Sequence, residues 1–272
     1  MNEHVRRRAV RCETLSAFER AEPPDAYHRL AMATLARWRA CSPITPPAPT
    51  VEVIAADWGE VTARLTARHG RCFAVLNMAN PVLPGGAYVE GAAAQEENMF
   101  RRTDCHFSID RRMMLDGPER YRPGMRRLLE AVDGAVYLDV ERPRVCIRGP
   151  EDPAASDLGY RWLADDEIFP FYELRAAALD MSGGGFFRER ETRRRVAAQL
   201  DSLIEAGVRH AVLGAFGCGA FRNPAARVAR AYRSELEACR GESDVVAFAV
   251  LPSAHGPDNA TPFARVFRDD RA

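Results

Sequence analysis

The sequence predicts an α/β protein in which one sheet lies between layers of helices, preceded by a helical N-terminal extension. From residue 51 onward, short apolar runs alternate with segments of helical period, which is the pattern of a sheet covered by helices. Apolar runs such as Cys72–Asn77 are continuous, as expected for strands buried on both faces. The 272 residues are enough for one such core and an extension.

The N-terminal extension is predicted to be helical. Ala26–Ala40 places Met32, Leu35 and Trp38 at three-residue spacing, which favours one helix face. The proline-rich stretch from Ser42 to Thr50 cannot continue a helix. We therefore predict a helical extension with a proline-rich link over residues 1–49 and an α/β domain over residues 50–272.

The elements of the α/β domain follow from periodicity and end signals. Asp57 with Glu60 resembles a capping box, and Gly70 ends the helix that it opens. Gly207 ends a second helix, and Pro224 is expected at the first position of a third. The predicted strands are residues 51–56, 72–77, 135–138, 144–148, 171–179, 210–216 and 244–251. The predicted helices are residues 57–70, a segment starting near 93, 188–207 and 224–239, and residues 150–170 are predicted to be loop.

Composition excludes several classes of function. The 38 basic and 38 acidic residues cancel, so no global field attracts nucleic acid or anionic lipid. The seven cysteines form no C-x-x-C pair and are odd in number, which indicates a reducing compartment without a disulfide framework or zinc knuckle. The charged N-terminus does not resemble a signal peptide, and no segment has the apolar length of a membrane span. We expect a cytoplasmic protein with no membrane contact, no metal and no cofactor.

Two glycine-bearing loops follow predicted strands. The first runs from Asn77 to Asn98 and contains Gly85 and Gly86, and the second is GCGAFRNP, beginning at Gly217. In α/β sheets, ligands bind beyond the carboxyl ends of the strands. Glycines there let backbone N–H groups approach a phosphate beside a helix N-terminus, so two such loops can hold a pyrophosphate. Each loop taken alone is also consistent with an ordinary turn.

An acidic pair, Glu96 and Glu97, lies between the two loops and follows Gln95. Adjacent carboxylates on a helix point about 100° apart, so they cannot perform the same task. One can bind a sugar hydroxyl while the other addresses a glycosidic bond, first as acid and then as base to water. The alternative is that both glutamates only complement the helix dipole.

Taken together, these motifs resemble the microbial branch of the poly(ADP-ribose) glycohydrolases. PGGAYVEGAAAQEEN resembles the family's glycine triplet followed by Q-E-E, Asn77–Asn80 matches its N-x-A-N, and Leu213–Pro224 resembles its second ligand loop. The resemblance covers roughly residues 50 to 270 and implies a macrodomain-like, three-layer α/β/α fold with a mixed sheet. It also implies reversal of ADP-ribosylation without a metal, including in the response to DNA damage.

The resemblance assigns roles position by position. Glu97 matches the catalytic glutamate, and Glu96 would bind ribose hydroxyls. Gly85 and Gly86 would contact the diphosphate and the distal ribose, and Asn80 would position that ribose. The residues expected to bind substrate are Asn77, Asn80, Gly85, Gly86, Ala87, Gln95, Gly217, Cys218, Gly219, Ala220, Phe221 and Asn223.

The chain departs from the family pattern at one position. Ala87 occupies the place of the third glycine. An alanine there is harmless if its φ is negative, whereas a positive φ would cost on the order of 1 kcal/mol.

Several other motifs have simpler explanations. Cys218 between glycines is interpreted as a small buried spacer rather than a nucleophile. Ser182–Gly185 lacks the G-K-[ST] ending of a phosphate loop and is interpreted as a flexible turn. Arg193–Arg195 is interpreted as a solvated helix face. Asn259 and Phe263 are weaker candidates for an adenosine pocket.

The sequence therefore predicts a monomeric, metal-independent ADP-ribosyl glycohydrolase. Its expected substrates are poly(ADP-ribose), ADP-ribosylated protein or an ADP-ribosylated nucleic-acid base. Two other classes remain open on the residues alone. One is a reader that binds ADP-ribose without cutting it, and the other is a purely structural α/β domain.

Overall fold

The computed structural model describes residues 2–41, 43–116, 119–252 and 256–268. The helices are α1 (Glu3–Glu19), α2 (Ala26–Ala40), α3 (Trp58–His69), α4 (Gln95–Arg102), α5 (Pro123–Leu129), α6 (Glu189–Glu205), α7 (Ala225–Ala238) and α8 (Ala260–Arg268). The strands are β1 (Thr50–Ile54), β2 (Ala74–Met78), β3 (Tyr137–Cys146), β4 (Phe169–Ala176), β5 (His210–Leu213) and β6 (Val245–Ala249). Two short 3₁₀ helices, Cys105–Ser108 and Arg111–Met113, follow α4.

The six strands form one mixed sheet in the order β1-β6-β5-β2-β4-β3. In this spatial order the first five strands, which end with β4, are parallel to one another. The last strand, β3, runs antiparallel to β4. The carboxyl ends of β6, β5, β2 and β4 therefore lie side by side at one sheet edge, where both glycine-bearing loops begin. This arrangement confirms the α/β class with a mixed sheet.

Helices cover both faces of the sheet because the central strands are apolar on both sides. Leu76 belongs to the core cluster that contains residues of α6, α7 and α8. Val75 belongs to the opposite cluster, with residues of α3 and α4. This alternation of neighbouring side chains between two buried faces produces the three layers.

The helix ends follow the expected signals with one difference. The Asp57 carboxylate accepts hydrogen bonds from the N–H groups of Gly59 and Glu60, and Gly70 ends α3 in the left-handed region with φ 59°. Pro224 is the N-cap of α7, not its first helical residue. Its ψ of 113° is extended, so the helix begins one residue later than predicted.

Two other features differ from the predictions. Residues 135–138 and 144–148 were expected as two strands, but a single strand, β3, spans this region with an irregular register between Asp139 and Arg144. Helix α8 was not predicted, and it buries Phe263 completely in the core, 5.3 Å from the ring of Phe248. Phe263 is therefore a core residue and not part of an open adenosine pocket. Ser42, the first residue of the predicted proline-rich break, lies outside the described residues.

The N-terminal helices pack against the α/β part. On α1, Thr14 is fully buried, and its hydroxyl donates to the carbonyl of Arg101 on α4 at 2.7 Å. On α2, Ala31 is fully buried in a cluster with Val145 and Ile147. Helix α1 thus contacts α4, which follows the first loop, and α2 packs on the β3 side of the sheet. Within the described residues, no helix combines the length and apolarity required to cross a bilayer.

Candidate active site

The acidic pair lies in the first turn of α4, which Gln95 fastens to strand β2. The Gln95 side chain accepts a hydrogen bond from the N–H of Met78 at 2.9 Å and donates to the carbonyl of Leu76 at 2.8 Å. Its amide therefore pairs with the strand backbone as a neighbouring strand would. Gln95 thus holds α4 against β2, and both the oxygen and the nitrogen of its side-chain amide are hydrogen-bonded.

The Glu96 carboxylate organises the first loop from inside. It is only 3% exposed, and its two oxygens accept from the N–H groups of Asn80 at 2.7 Å and Gly85 at 3.0 Å. The Asn80 side chain in turn accepts from the N–H groups of Val82 and Leu83. Glu96 and Asn80 thus fix the curvature of the loop through four backbone N–H groups.

Glu97 has one oxygen held and one free. Its Oε1 accepts from the N–H of Ala87 at 3.0 Å. Its Oε2 has no hydrogen-bond partner anywhere in the described ranges and is not among their buried unsatisfied atoms. This carboxyl group is therefore fixed in place and still able to exchange a proton with a ligand.

Gly86 allows the two carboxyl groups to converge. Its φ is +57°, and a Cβ at this position would overlap Glu97 Oε1 and lie 3.1 Å from Glu96 Oε2. A side chain is thus excluded both by the backbone conformation and by the acidic pair. Neighbouring Ala87 is not among the residues with positive φ, so alanine is compatible with this backbone.

Burial and the adjacent Glu97 carboxylate raise the pKa of Glu96 well above that of an ordinary glutamate, although the N–H groups of Asn80 and Gly85 act in the opposite direction. Glu96 therefore keeps its proton to a higher pH than an isolated glutamate does, which reduces the negative charge beside Glu97.

The N–H groups of Gly85 and Gly86, which were expected to donate to phosphate, are paired within the protein. The N–H of Gly85 donates to Glu96, and that of Gly86 donates to the carbonyl of Leu83. Glycine at these two positions instead permits positive φ and close packing.

The second loop offers unpaired N–H groups. Within the part of the chain that the structure describes, the N–H groups of Gly219, Ala220 and Phe221 have no acceptor. Gly219 and Ala220 are exposed, and a Cβ at Gly219 would meet nothing within 4 Å. Successive free N–H groups in a loop leading to a helix form an anion-binding concavity. This loop is therefore the part of the site best suited to a diphosphate.

Asn223 fastens the second loop to the end of β4. Its side-chain amide donates to the carbonyl of Leu179 at 2.7 Å and to that of Gly217 at 3.0 Å. Gly217 has φ +71°, and a Cβ there would lie 2.6 Å from the Asn223 amide nitrogen. The Asn223 side-chain amide is thus bonded within the protein, where it holds the second loop in shape.

Cys218 and Phe221 occupy different environments in this loop. Cys218 is 2% exposed, and burial raises the pKa of its thiol to about 12, so it is no nucleophile at neutral pH. Phe221 is half-buried and packs partly on the core, leaving part of its side chain accessible.

Asn77 is directed into the protein. It is fully buried, and its amide donates to Glu173 at 2.8 Å. Burial alone would raise the pKa of Glu173, but the guanidinium groups of Arg175 and Arg144 outweigh it and the pKa is lowered. Arg175 also donates to the hydroxyl of Tyr121 at 2.8 Å. The structure therefore places Asn77 in a buried ionic network beneath the site.

A second polar network, absent from the sequence predictions, connects α4 to α1. Fully buried Arg101, one turn after Glu97, donates to the carbonyl of Ala92 in the first loop at 2.7 Å and to the hydroxyl of Tyr160 at 3.0 Å. Tyr160 bonds to Glu151, which accepts from Arg7 of α1 at 2.7 Å. These contacts join residues distant in sequence, so no local motif marks them.

Helix α1 also packs against the end of the first loop. Gly91 has φ +86°, and a Cβ there would overlap the carbonyl oxygen of His4. The guanidinium of Arg11 lies 5.6 Å from the centre of the Tyr88 ring. The first loop is therefore bounded by α4 on one side and by α1 on the other.

Among the residues that the structure describes, no group of three or more His, Cys, Asp or Glu side chains is arranged to hold a metal ion.

The chain is similar to known proteins of the family that its sequence motifs resemble. Residues 19–126 match the family model described as the microbial-type poly(ADP-ribose) glycohydrolase (PARG) catalytic domain. This match includes the first loop and Glu96–Glu97, and it begins within α1. A search of curated proteins gives no match.

Solved structures extend the similarity to nearly the whole chain. The poly(ADP-ribose) glycohydrolase of Thermomonospora curvata is 26% identical, with a TM-score of 0.67 over 96% of this chain and 99% of that one. The same enzyme bound to the inhibitor ADP-HPD gives a TM-score of 0.65 at 26% identity, covering 95% and 98%. The Deinococcus radiodurans enzyme in complex with ADP-ribose is 27% identical, with a TM-score of 0.57 over 90% of this chain and 91% of that one. The chain is thus similar in sequence and fold to solved poly(ADP-ribose) glycohydrolases over nine-tenths or more of its length.

Proposed function

We propose that this chain, similar to the microbial-type poly(ADP-ribose) glycohydrolases in sequence and fold, releases ADP-ribose by acid–base cleavage of a ribosyl glycosidic bond. The observation that carries the proposal is the state of Glu97. One oxygen is fixed by the N–H of Ala87 and the other is unpartnered among the described residues. A group that only bound a helix dipole or a turn would have no need of this arrangement.

The reaction begins with binding of the diphosphate. The free N–H groups of Gly219, Ala220 and Phe221 hold the negative charge, and Phe221 packs on the distal ribose. Binding energy from the ADP moiety, distant from the reacting bond, then places the anomeric carbon next to Glu97. Glu96 contributes by holding the loop that positions Gly86 and Ala87.

Cleavage then needs one proton and one water. Glu97, as the carboxylic acid, donates its proton to the oxygen of the leaving group, and the C1–O bond breaks to give an oxocarbenium-like centre. The resulting Glu97 carboxylate takes a proton from a water molecule as that water attacks C1. ADP-ribose is released and Glu97 is protonated again, so no metal or cofactor enters any step.

The acceptor classes are poly(ADP-ribose), modified protein and a modified nucleic-acid base, and in all three the acceptor is joined to C1 of the terminal ribose. The leaving atom that Glu97 protonates is oxygen in the polymer and in a serine linkage, and nitrogen in a base such as guanine. The family resemblance and the sequence composition support a monomer that acts in the cytoplasm to reverse ADP-ribosylation, including after DNA damage.

The test is Glu97→Gln, which keeps an oxygen for the N–H of Ala87 and removes the transferable proton. Because general acid–base catalysis contributes about 10²–10⁴-fold, release of ADP-ribose should fall by at least that factor. Calorimetric affinity for ADP-ribose should stay close to that of the wild type.

Glu90→Gln is the matched control, since Glu90 is an exposed carboxylate in the same loop. It should leave the rate unchanged. Wild-type turnover by Glu97→Gln would contradict the mechanism, and a wild-type protein that binds ADP-ribose but releases none would indicate a reader.

A further inference from the structure

The loop between β3 and β4 directs a tyrosine into the interior from a strained backbone. Leu158, Gly159 and Tyr160 all have positive φ values, of 64°, 66° and 50°. The left-handed region is unfavourable for residues with a side chain, so Leu158 and Tyr160 adopt it only because other contacts hold them there. Tyr160 is 1% exposed, and the guanidinium of Arg148 donates to its carbonyl at 2.8 Å. No step of the proposed mechanism uses this side chain.

The Tyr160 hydroxyl binds two residues of α4 that follow the acidic pair. It accepts from Nε of Arg101 at 3.0 Å and from the side-chain amide of Asn98 at 3.3 Å. Asn98 is the residue directly after Glu97, and Arg101 lies one helical turn after Glu97. A single hydroxyl therefore holds the turn of α4 that begins at Glu97.

The same hydroxyl lies between two opposite charges in the interior. Its own proton is donated to the carboxylate of Glu151. Arg101 Nη2 lies 3.9 Å from Glu151 Oε2 and has no hydrogen-bond partner among the described residues. A direct bond between guanidinium and carboxylate would be about 2.7–2.9 Å long, so these two groups are held roughly 1 Å short of contact.

The ionisation of these groups makes the separation meaningful. Burial raises the pKa of the Tyr160 hydroxyl to about 12, so the hydroxyl remains a neutral donor at neutral pH. Burial acts to raise the pKa of Glu151 as well, but hydrogen bonds from Arg7 and Tyr160 outweigh it and the pKa is lowered. Glu151 is therefore an anion that attracts the buried guanidinium of Arg101, and the Tyr160 hydroxyl occupies the space between them.

Arg101 is also bonded to the end of the first loop. Its Nη1 donates to the carbonyl of Ala92 at 2.7 Å, three residues before α4 begins. A shift of the guanidinium toward Glu151 would therefore pull on both the loop and the helix. Glu97 lies in the chain between these two attachment points, and its Oε1 is held by the N–H of Ala87 at 3.0 Å.

We propose that Tyr160 is a positioning residue for Glu97. Its hydroxyl acts as a neutral spacer that keeps Arg101 and Glu151 from closing into a direct ion pair. This proposal rests on the proposed function. With the spacer in place, Arg101 keeps its bond to the first loop, and α4 keeps the carboxyl group of Glu97 next to the anomeric carbon. The strained backbone at residues 158–160 brings the hydroxyl to this position.

The test is Tyr160→Phe, which keeps the buried ring and removes only the hydroxyl. Arg101 should then approach Glu151 by about 1 Å, and a displacement of that size costs about 10²-fold in rate. The single-turnover rate of ADP-ribose release at saturating substrate should therefore fall by about that factor. Calorimetric affinity for ADP-ribose should stay close to that of the wild type, because the second loop, which holds the diphosphate, is not part of this network.

Ser202→Ala is the matched control, since it removes another buried hydroxyl, on α6 at the opposite face of the sheet. Ser202 Oγ accepts from the N–H of Val136 at 3.0 Å, so its loss lowers the melting temperature without touching α4. Its rate should equal that of the wild type. An unchanged rate in folded Tyr160→Phe, or an equal loss of rate in Ser202→Ala, would overturn the proposal.

Amide hydrogen exchange at Ala87, followed by NMR, reports the position of Glu97 without any turnover. Because the N–H of Ala87 donates to Glu97, withdrawal of the carboxyl group should expose it. Exchange should become about tenfold faster in Tyr160→Phe, which is the factor that one hydrogen bond is worth. Wild-type exchange at Ala87 in this variant would overturn the proposal whatever the rate. A wild-type protein that releases no ADP-ribose would contradict the proposed function instead, while faster exchange in the variant would still support the spacer.

Discussion

Gly86→Ala is the sharpest test of how the acidic pair is positioned. The added Cβ would overlap Glu97 Oε1 and lie 3.0 Å from the Glu97 carboxyl carbon, closer than the ordinary contact range of 3.4–4 Å. The carboxyl group must withdraw by roughly 1 Å, and a misplacement of that size lowers an enzymatic rate about 10²-fold. Alanine at φ +57° adds about 1–2 kcal/mol of backbone strain.

The assay is single-turnover release of ADP-ribose, with the melting temperature of each variant measured in parallel. A loss of 1 kcal/mol lowers Tm by about 2–4 °C in a chain of this size, so the variant should remain folded at 25 °C. Gly124→Ala is the matched control, because a Cβ there meets nothing within 4 Å. It should keep the wild-type rate. If Gly86→Ala also cleaves at that rate while folded, the position of Glu97 does not limit the reaction.

Three further outcomes follow from the same contacts. Asn223→Ala leaves the carbonyl of Leu179 unpaired and removes the side-chain bond to Gly217, whose carbonyl keeps the backbone N–H of residue 223. Losing this support of the loop costs about 1–3 kcal/mol, so calorimetry should show roughly tenfold weaker ADP-ribose binding, and unchanged affinity would exclude the loop-shaping role. Thr14→Val loses the bond to Arg101 and should destabilise the fold by about 1–3 kcal/mol in urea unfolding, while Thr14→Ser should behave as wild type. Burial raises the pKa of Glu96 in the folded state. This carboxyl group therefore stabilises the fold below its unfolded pKa of about 4.3, and the stabilisation is lost as the pH rises through its pKa in the folded protein. The Tm of Glu96→Gln relative to wild type should therefore increase with pH, and a constant difference would refute the shift.

The fold was predictable because its signals are local. Continuous apolar runs mark strands covered on both faces, and Asp57 and Gly70 mark helix ends through backbone hydrogen bonds within a few residues. The division of 135–148 into two strands failed for an equally local reason. The charged residues from Asp139 to Arg144 interrupt the apolar pattern, although the backbone continues as one strand through an irregular register.

The arrangement inside the site was only partly predictable. The motifs indicate which loops meet, and the structure brings Glu97, Gly86 and the second loop to one sheet edge. Tertiary pairing determines which N–H groups remain free. Glu96, for example, accepts the hydrogen bond of the Gly85 N–H although the two residues are 11 positions apart. The motif predicts that Asn77 binds substrate, whereas the structure pairs its amide with Glu173, 96 residues later in the chain. No local pattern encodes a pairing at that distance.

The bond between Arg7 and Glu151 spans 144 residues, and it supports the helix that carries Glu97. Closing so long a segment is entropically costly, and contacts of this range slow folding. Helix α1 can therefore make this contact only after the 144-residue segment has closed. Competence for bond cleavage should consequently appear late in refolding, after the sheet has formed.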